Sequence, residues 1–274
     1  MRFFFITNSP ELAPYAADRG VDRLFVDLEW NGKHERQGHL STVISGHSFD
    51  DLALVRRAAP GVELMARLNP LHEGTSREVA RALDCGSDVL MLPMYRSAAD
   101  ARAFCDAVGG RARVCLLLET VGAMESLAAT AALEAVDEIH IGLNDLHLEL
   151  RSRFMFEPLA DGLVDGMAAI LRGSGKPFGI GGVARVGEGL VPAELLLGEH
   201  ARLGSTGAIL SRTFHRDRKT VAELEREMDF AAEISRLRAA YADCLALSPA
   251  ELDEIHEEVR RRVRAIVARS TASA

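Results

Sequence analysis

The chain has 274 residues, 48% hydrophobic and 26% charged, enough apolar side chain for one large core and too much for bulk disorder. Its 32 Lys and Arg against 40 Asp and Glu leave a net charge of −8 and a pI near 5.6, which argues against nucleic acid or an anionic membrane as a partner. The four cysteines, at 85, 105, 115 and 244, form no CxxC pair, and no run approaches the roughly 18 apolar residues of a membrane span. A cytoplasmic protein with reduced thiols is expected.

From the N-terminus, short apolar runs alternate with helix-compatible segments. Arg2–Thr7 reads as the first strand; it is too short for a secretory leader and is ended by Asn8-Ser9-Pro10. The helical segment Glu11–Asp18 leads to the second strand, Arg23–Glu29. After a long polar connection come the helix Asp50–Ala59 and the strand Val62–Leu68, then Ser76–Leu83 and Asp88–Pro93, then Ala98–Val108 and Arg113–Thr120. The series continues with Ala123–Ala132 and Glu138–Gly142, Gly162–Arg172 and Pro177–Gly181, and Ala193–Leu203 and Thr206–Leu210. Several strands are almost continuously apolar, as parallel strands covered on both faces must be. Eight strand–helix units predict an α/β fold, a (β/α)₈ TIM barrel. A doubly wound open sheet is the alternative, and the GxGxxG turn it would carry after the first strand is missing.

The predicted barrel occupies residues 1–217, and 218–274 form a helical extension. Leu224, Met228, Ala231, Ile234, Leu237 and Tyr241 recur at three- and four-residue spacing. Ser248-Pro249-Ala250-Glu251 reads as a helix start, with Ser as N-cap, Pro at N1 and Glu at N3. Ile255, Val259, Val263 and Ile266 form one stripe, which must be buried on the barrel's own flank or on a neighbouring subunit.

Candidate chemistry gathers at the carboxyl ends of the strands, where barrel active sites form. Glu119 ends the run Val114–Leu118, and Asp145 follows the next strand in Gly142-Leu143-Asn144-Asp145-Leu146. Two carboxylates from consecutive strands suit a hard cation such as Mg²⁺, which takes one or two protein oxygens and leaves the rest to water and substrate. The plain alternatives are an ion pair for Glu119 and a helix cap for Asp145. Arg67 ends the third strand, where its fork suits a substrate carboxylate or phosphate, or a salt bridge to Asp27 or Glu29. Asp27 and Glu29 share one side of the second strand, as buttress or as catalytic acids. Gly181 and Gly182 allow a ligand close to the backbone. The 31–48 loop carries Lys33, His34, Arg36, His39 and His47, and solvation is the default for its histidines.

The ordered set Val26-Asp27-Leu28-Glu29, Arg67-Leu68-Asn69, Leu90-Met91-Leu92-Pro93, Leu118-Glu119-Thr120 and Ile141-Gly142-Leu143-Asn144-Asp145-Leu146 resembles the HpcH/HpaI aldolase and citrate lyase β-subunit family over about residues 2–215. The resemblance implies a Mg²⁺- or Mn²⁺-dependent barrel that makes or breaks carbon–carbon bonds through a pyruvate-type enolate, often in a homo-oligomer with exchanged C-terminal helices. Carried over, Glu119 and Asp145 are the metal ligands, Arg67 holds substrate oxygens, and backbone near Gly142 and Asn144 binds the substrate carboxylate. The expected reaction is a class II-type aldol cleavage of a 2-keto acid adduct, with an aldehyde as second partner. An acyl-CoA lyase of the citryl or malyl type, with Lys33, Arg36, Arg185 and Arg212 near a CoA phosphate, and a non-catalytic metabolite-binding barrel are the alternatives. The sequence departs from the family at Trp30, where the pyruvate aldolases carry a histidine directly after the strand-two glutamate. His34 is the candidate to replace it.

Overall fold

A computed structural model of the chain describes residues 1–30, 46–215 and 218–272. Eight parallel strands pair in sequence order and close on themselves: β1 (Arg2–Ile6), β2 (Arg23–Asp27), β3 (Glu63–Arg67), β4 (Val89–Leu92), β5 (Arg113–Leu118), β6 (Glu138–Ile141), β7 (Phe178–Val183) and β8 (Gly207–Leu210). The barrel predicted from the alternation is the fold observed. Helices α1 (Leu12–Asp18), α2 (Phe49–Ala58), α3 (Thr75–Asp84), α4 (Ala98–Val108), α9 (Leu163–Ser174) and α10 (Ala193–Leu203) lie close to their predicted positions.

Between β5 and β7 the observed helices are shorter. The predicted helix 123–132 is two pieces, α5 (Val121–Glu125) and α6 (Leu127–Ala131). They divide at Ser126, whose hydroxyl donates back to the carbonyls of Gly122 and Ala123 at 2.8 and 3.3 Å; such back-bonding bends helices. Helices α7 (Leu143–Glu149) and α8 (Glu157–Ala160) come between β6 and α9.

Side chains alternate in and out of the barrel wall. Phe4, Phe25, Met65, Val89, Met91, Cys115 and Leu117 fill the interior as a cluster of their own, while the outward residues pack under the helices. At the amino end Arg23 is fully buried and bonds Glu63 and Glu138; Arg2 reaches Glu138 at 2.7 Å, and Arg113 pairs with Glu63. Burial works against ionised Glu138, but Arg23 and Arg2 outweigh it and hold this carboxyl below its ordinary range. The barrel floor is therefore a satisfied ionic layer.

The same rim shows a recurrence that the sequence reading did not detect. Asp22, Asp88 and Asp137 each stand just before an even-numbered strand. Each backbone N–H donates to the carbonyl of Phe3, Leu64 or Val114 on the preceding odd strand, at 3.1, 2.8 and 3.0 Å. Each carboxylate then accepts the N–H of that same residue, at 2.7, 2.8 and 2.7 Å. The fourth equivalent, Thr206, donates its N–H to Phe178 at 2.9 Å but has no carboxylate to return; its hydroxyl lies 3.4 Å from the same carbonyl. Thr206→Asp is expected to complete the fourth clasp and stabilise the fold by about 1 kcal/mol, readable as a raised midpoint in urea with an unchanged m-value.

The C-terminal extension forms α11 (Val221–Glu225), α12 (Phe230–Leu245) and α13 (Pro249–Ala272). The Ser248 start is as read: the Ser248 N–H donates to Glu251 Oε2 at 2.8 Å and the Glu251 N–H to Ser248 Oγ at 3.3 Å. Val259 and Val263 are buried, and Ile255 packs so tightly on α10 that a Cβ at Gly198 would lie 2.7 Å from it. His256 Nδ1 sits 2.7 Å from Glu199 Oε1 of α10. Val259, Val263 and Ile255 of the stripe thus pack on the chain's own barrel flank.

Candidate active site

Arg67 and Asp27 are the last residues of neighbouring strands and stand opposite each other in the register. Parallel pairing therefore brings a guanidinium and a carboxylate together at the carboxyl mouth. The fork is bidentate, Nε to Oδ1 and Nη2 to Oδ2, both 2.8 Å, and Glu29 Oε2 lies 3.4 Å from Nε. Asp27 and Glu29 are 1% and 2% exposed, and both carboxylates reach this arginine. Burial alone would loosen the Arg67 proton; Asp27, Glu29 and Glu119 outweigh it and hold the proton more tightly than usual. Asp27 and Glu29 engage Nε and Nη2 of Arg67, and Nη1 takes no part in this pairing.

Glu119 is the first residue past β5 and only 3% exposed. Its Oε1 accepts the backbone N–H of Met94 at 3.1 Å. Its Oε2 borders Gly142, where a Cβ would come within 2.9 Å, so glycine is the residue that leaves this carboxylate its space. Burial, then the charges of Asp145 and Glu29, push the Glu119 carboxyl well above its ordinary range against the pull of Arg67 and the Met94 amide. Asp145 is the third residue of α7, whose N-cap is Gly142, with no side-chain capping bond. The helix-cap alternative for Asp145 is thus not what the structure shows. Of the neighbouring charges, Asp145 raises the Glu119 carboxyl most, so the two acids lie close enough to repel.

This donor set fits a hard divalent cation. It offers carboxylate oxygens alone, and their mutual repulsion is the kind a dication relieves. Among the described residues no group of three or more His, Cys, Asp or Glu could hold a metal, so Glu119 and Asp145 would leave most of a coordination shell to water and substrate.

The remaining predicted residues divide. The N–H of Gly142 is spent on Leu118 O at 2.8 Å, so this residue serves by its missing side chain and has no donor to give. Asn144 lies in the open first turn of α7. Gly181 has φ +48°, and its carbonyl accepts from His140 Nε2 at 2.9 Å, pinning the bulge where β7 shifts register against β8 at Gly179 and Gly182. His140 is wholly buried, and desolvation lowers its pKa to about 4, so it is neutral at working pH. Lys33, His34 and Arg36 lie outside the described residues.

Four contacts at the mouth escaped the sequence reading. Asn69 Oδ1 accepts the Trp30 N–H at 2.9 Å, and its amide donates to Glu78 at 2.6 Å. The Trp30 indole N–H donates to His47 O at 3.2 Å, leaving the ring 49% exposed. His47 Nδ1 accepts the Asp27 N–H at 3.1 Å, so the default solvated histidine is instead a brace. That bond occupies the Nδ1 lone pair and places the neutral ring's proton on Nε2, as a donor rather than a base.

A closed barrel whose mouth gathers an arginine fork and converging carboxylates defines a barrel enzyme. The sequence pattern described as HpcH/HpaI aldolase/citrate lyase matches residues 1–155, and the chain belongs to that family of carbon–carbon lyases. It is 26% identical over 208 residues to a 4-hydroxy-2-oxovalerate aldolase from Novosphingobium aromaticivorans, covering 65% of this chain and 74% of that one. It is 26% identical over 212 residues to a 4-hydroxy-4-methyl-2-oxoglutarate aldolase from Chaetomium globosum, covering 64% and 72%. The crystal structure of an HpcH/HpaI aldolase from Desulfitobacterium hafniense superposes with a TM-score of 0.61 at 17% identity, over 90% of this chain and 93% of that one, a likeness of fold. No helix among the described residues is long and apolar enough to cross a membrane.

Proposed function

We propose that this protein is a divalent-metal-dependent aldolase that cleaves a 4-hydroxy-2-oxo acid between C3 and C4, giving a pyruvate-type enolate and an aldehyde or ketone. One observation carries the reading: Glu119 is buried among like charges, with a pKa pushed up by burial, Asp145 and Glu29. Such an arrangement destabilises a metal-free protein and has an evident use when a cation sits there. The two relatives named for 4-hydroxy-2-oxo acid aldolases supply the substrate class.

Glu119 and Asp145 would hold Mg²⁺ or Mn²⁺, which supplies Lewis-acid polarisation of the substrate carbonyl. Arg67, locked by Asp27 and Glu29, presents its Nη1 to the oxygen on which negative charge develops as the carbon–carbon bond breaks. Because the fork is already rigid, little ordering remains to be done at the moment of reaction. The first turn of α7 at Asn144 offers N–H donors for the substrate carboxylate. Departure of the aldehyde requires its hydroxyl proton to be removed, and the enolate must regain a proton at carbon to leave as the 2-keto acid. Asp27 and Glu29 act through Arg67 in this scheme, and His34 is the loop residue proposed for proton transfer.

Incubation with pyruvate and Mn²⁺ in D₂O is expected to exchange the methyl protons, and Asp145→Ala is expected to abolish both the exchange and cation binding. Cation binding without exchange would remove the pyruvate-type enolate from this proposal; failure to bind any divalent cation would falsify its core.

A further inference from the structure

We infer that the left-handed backbone of Met94 is a positioning device, holding Glu119 by its N–H in the orientation that sets Oε2 beside Gly142. The inference rests on the metal site proposed above and adds a residue to it. Met94 has φ +53°, one of two non-glycine residues with positive φ among those described. That conformation brings Cβ against the carbonyl oxygen and costs a side-chain-bearing residue roughly 1–2 kcal/mol; surrounding structure must fix it. The strain sits two residues beyond β4, at the mouth, in the segment that meets the first residue past β5.

What the strain accomplishes is visible in one bond. The Met94 N–H donates to Glu119 Oε1 at 3.1 Å. Because Tyr95 is held by Thr120, a return of φ to the ordinary negative range would have to be taken up by rotation of the Pro93–Met94 peptide plane, and Glu119 would lose its only hydrogen bond from described residues. The carboxylate is confined from the other side as well, because Oε2 lies where a Cβ at Gly142 would be only 2.9 Å away. Met94 and Gly142 thus form two jaws, an amide on one oxygen and an empty side-chain position beside the other. The following residues lock the turn: Thr120 Oγ1 donates to Tyr95 O at 2.6 Å, and Arg96 pairs with Glu149 at 2.5 Å. The bond is made by the backbone N–H, so the device is one of backbone shape.

Two substitutions separate shape from side chain. Met94→Gly adopts positive φ without strain and keeps the N–H, whereas Met94→Val carries a β-branched side chain that resists the left-handed region. Mn²⁺ titration of the metal-free proteins by calorimetry is expected to show Met94→Gly within threefold of wild type and Met94→Val at least tenfold weaker, with circular dichroism unchanged. Equal weakening in both variants would assign the effect to the methionine side chain and overturn the inference, as would wild-type affinity in Met94→Val. A second measurement needs no metal. In protein labelled with ¹⁵N-methionine, the Met94 amide resonance is expected to move upfield in Glu119→Ala; an unmoved resonance overturns the inference. A wild type that binds no Mn²⁺ but shows this amide shift would sink the metal reading and leave the Met94–Glu119 clamp standing.

Discussion

Glu119→Gln is expected to inactivate the protein and, at the same time, to stabilise its metal-free form. The amide keeps the size of the side chain and an oxygen for the Met94 N–H but removes the negative charge that faces Asp145 and Glu29. Turnover of a 4-hydroxy-2-oxo acid is expected to fall by roughly 10³-fold or more, about 4 kcal/mol of lost transition-state stabilisation. The folded metal-free protein is expected to gain about 1–3 kcal/mol near neutral pH, since a buried, poorly compensated charge has gone. The sign of the pH dependence follows from the direction of the shift. A carboxyl whose folded pKa is raised favours folding below its ordinary pKa and loses that contribution as pH rises through the folded value. The stability advantage of Glu119→Gln should therefore be small at pH 4.5 and grow toward pH 8, in melts run with chelator. A variant that is both inactive and less stable across this range would mean that Glu119 is a structural ion-pair member and not part of a charge surplus.

Arg67 is expected to behave in the opposite way, with activity and stability lost together. It is the shared partner of two carboxylates that are 1% and 2% exposed. Arg67→Ala leaves both charges buried without it and is expected to destabilise by about 3–5 kcal/mol. Arg67→Lys keeps the charge but has no fork to span Asp27 Oδ1 and Oδ2, so a smaller loss of stability and a fall of about 10²-fold in kcat/KM are expected. Adding Asp27→Asn to Arg67→Ala should recover part of the stability and none of the turnover. A double variant no more stable than the single one would show that the pair is not the unit described here.

What was legible in the sequence was what depends on local pattern. Apolar runs such as Val114–Leu118 are too short for buried helices and rich enough to be buried strands, and their alternation with amphipathic segments leaves few topologies. Glu119, Asp145 and Arg67 were legible because a polar residue at the carboxyl end of a barrel strand has a stated geometry. The misses share another character. Helix α7 was passed over because Leu143–Glu149 is short and mixes apolar with polar residues, so that Asp145 read equally well as a cap. His47 looked like solvated loop, since nothing local announces that its ring will meet the N–H of Asp27 twenty residues earlier. Met94 gave no signal at all, because a methionine is an improbable residue for positive φ. The three aspartate clasps were present as Val21-Asp22, Ser87-Asp88 and Val136-Asp137, but only the strand pairing shows that they do the same thing.

Those clasps also divide the barrel into unequal quarters. The pairs β1–β2, β3–β4 and β5–β6 are each fastened at the foot by a two-way bond, whereas β7–β8 has a one-way bond from Thr206 and, higher up, the slipped register between Gly179 and Gly182. A ring under thermal strain opens at its least-fastened join, and local opening draws on the least stable unit. Of the four joins between an odd strand and the even strand after it, β7–β8 is the least fastened, and its amides are expected to exchange fastest of the four, on the side of the mouth away from Arg67 and Glu119.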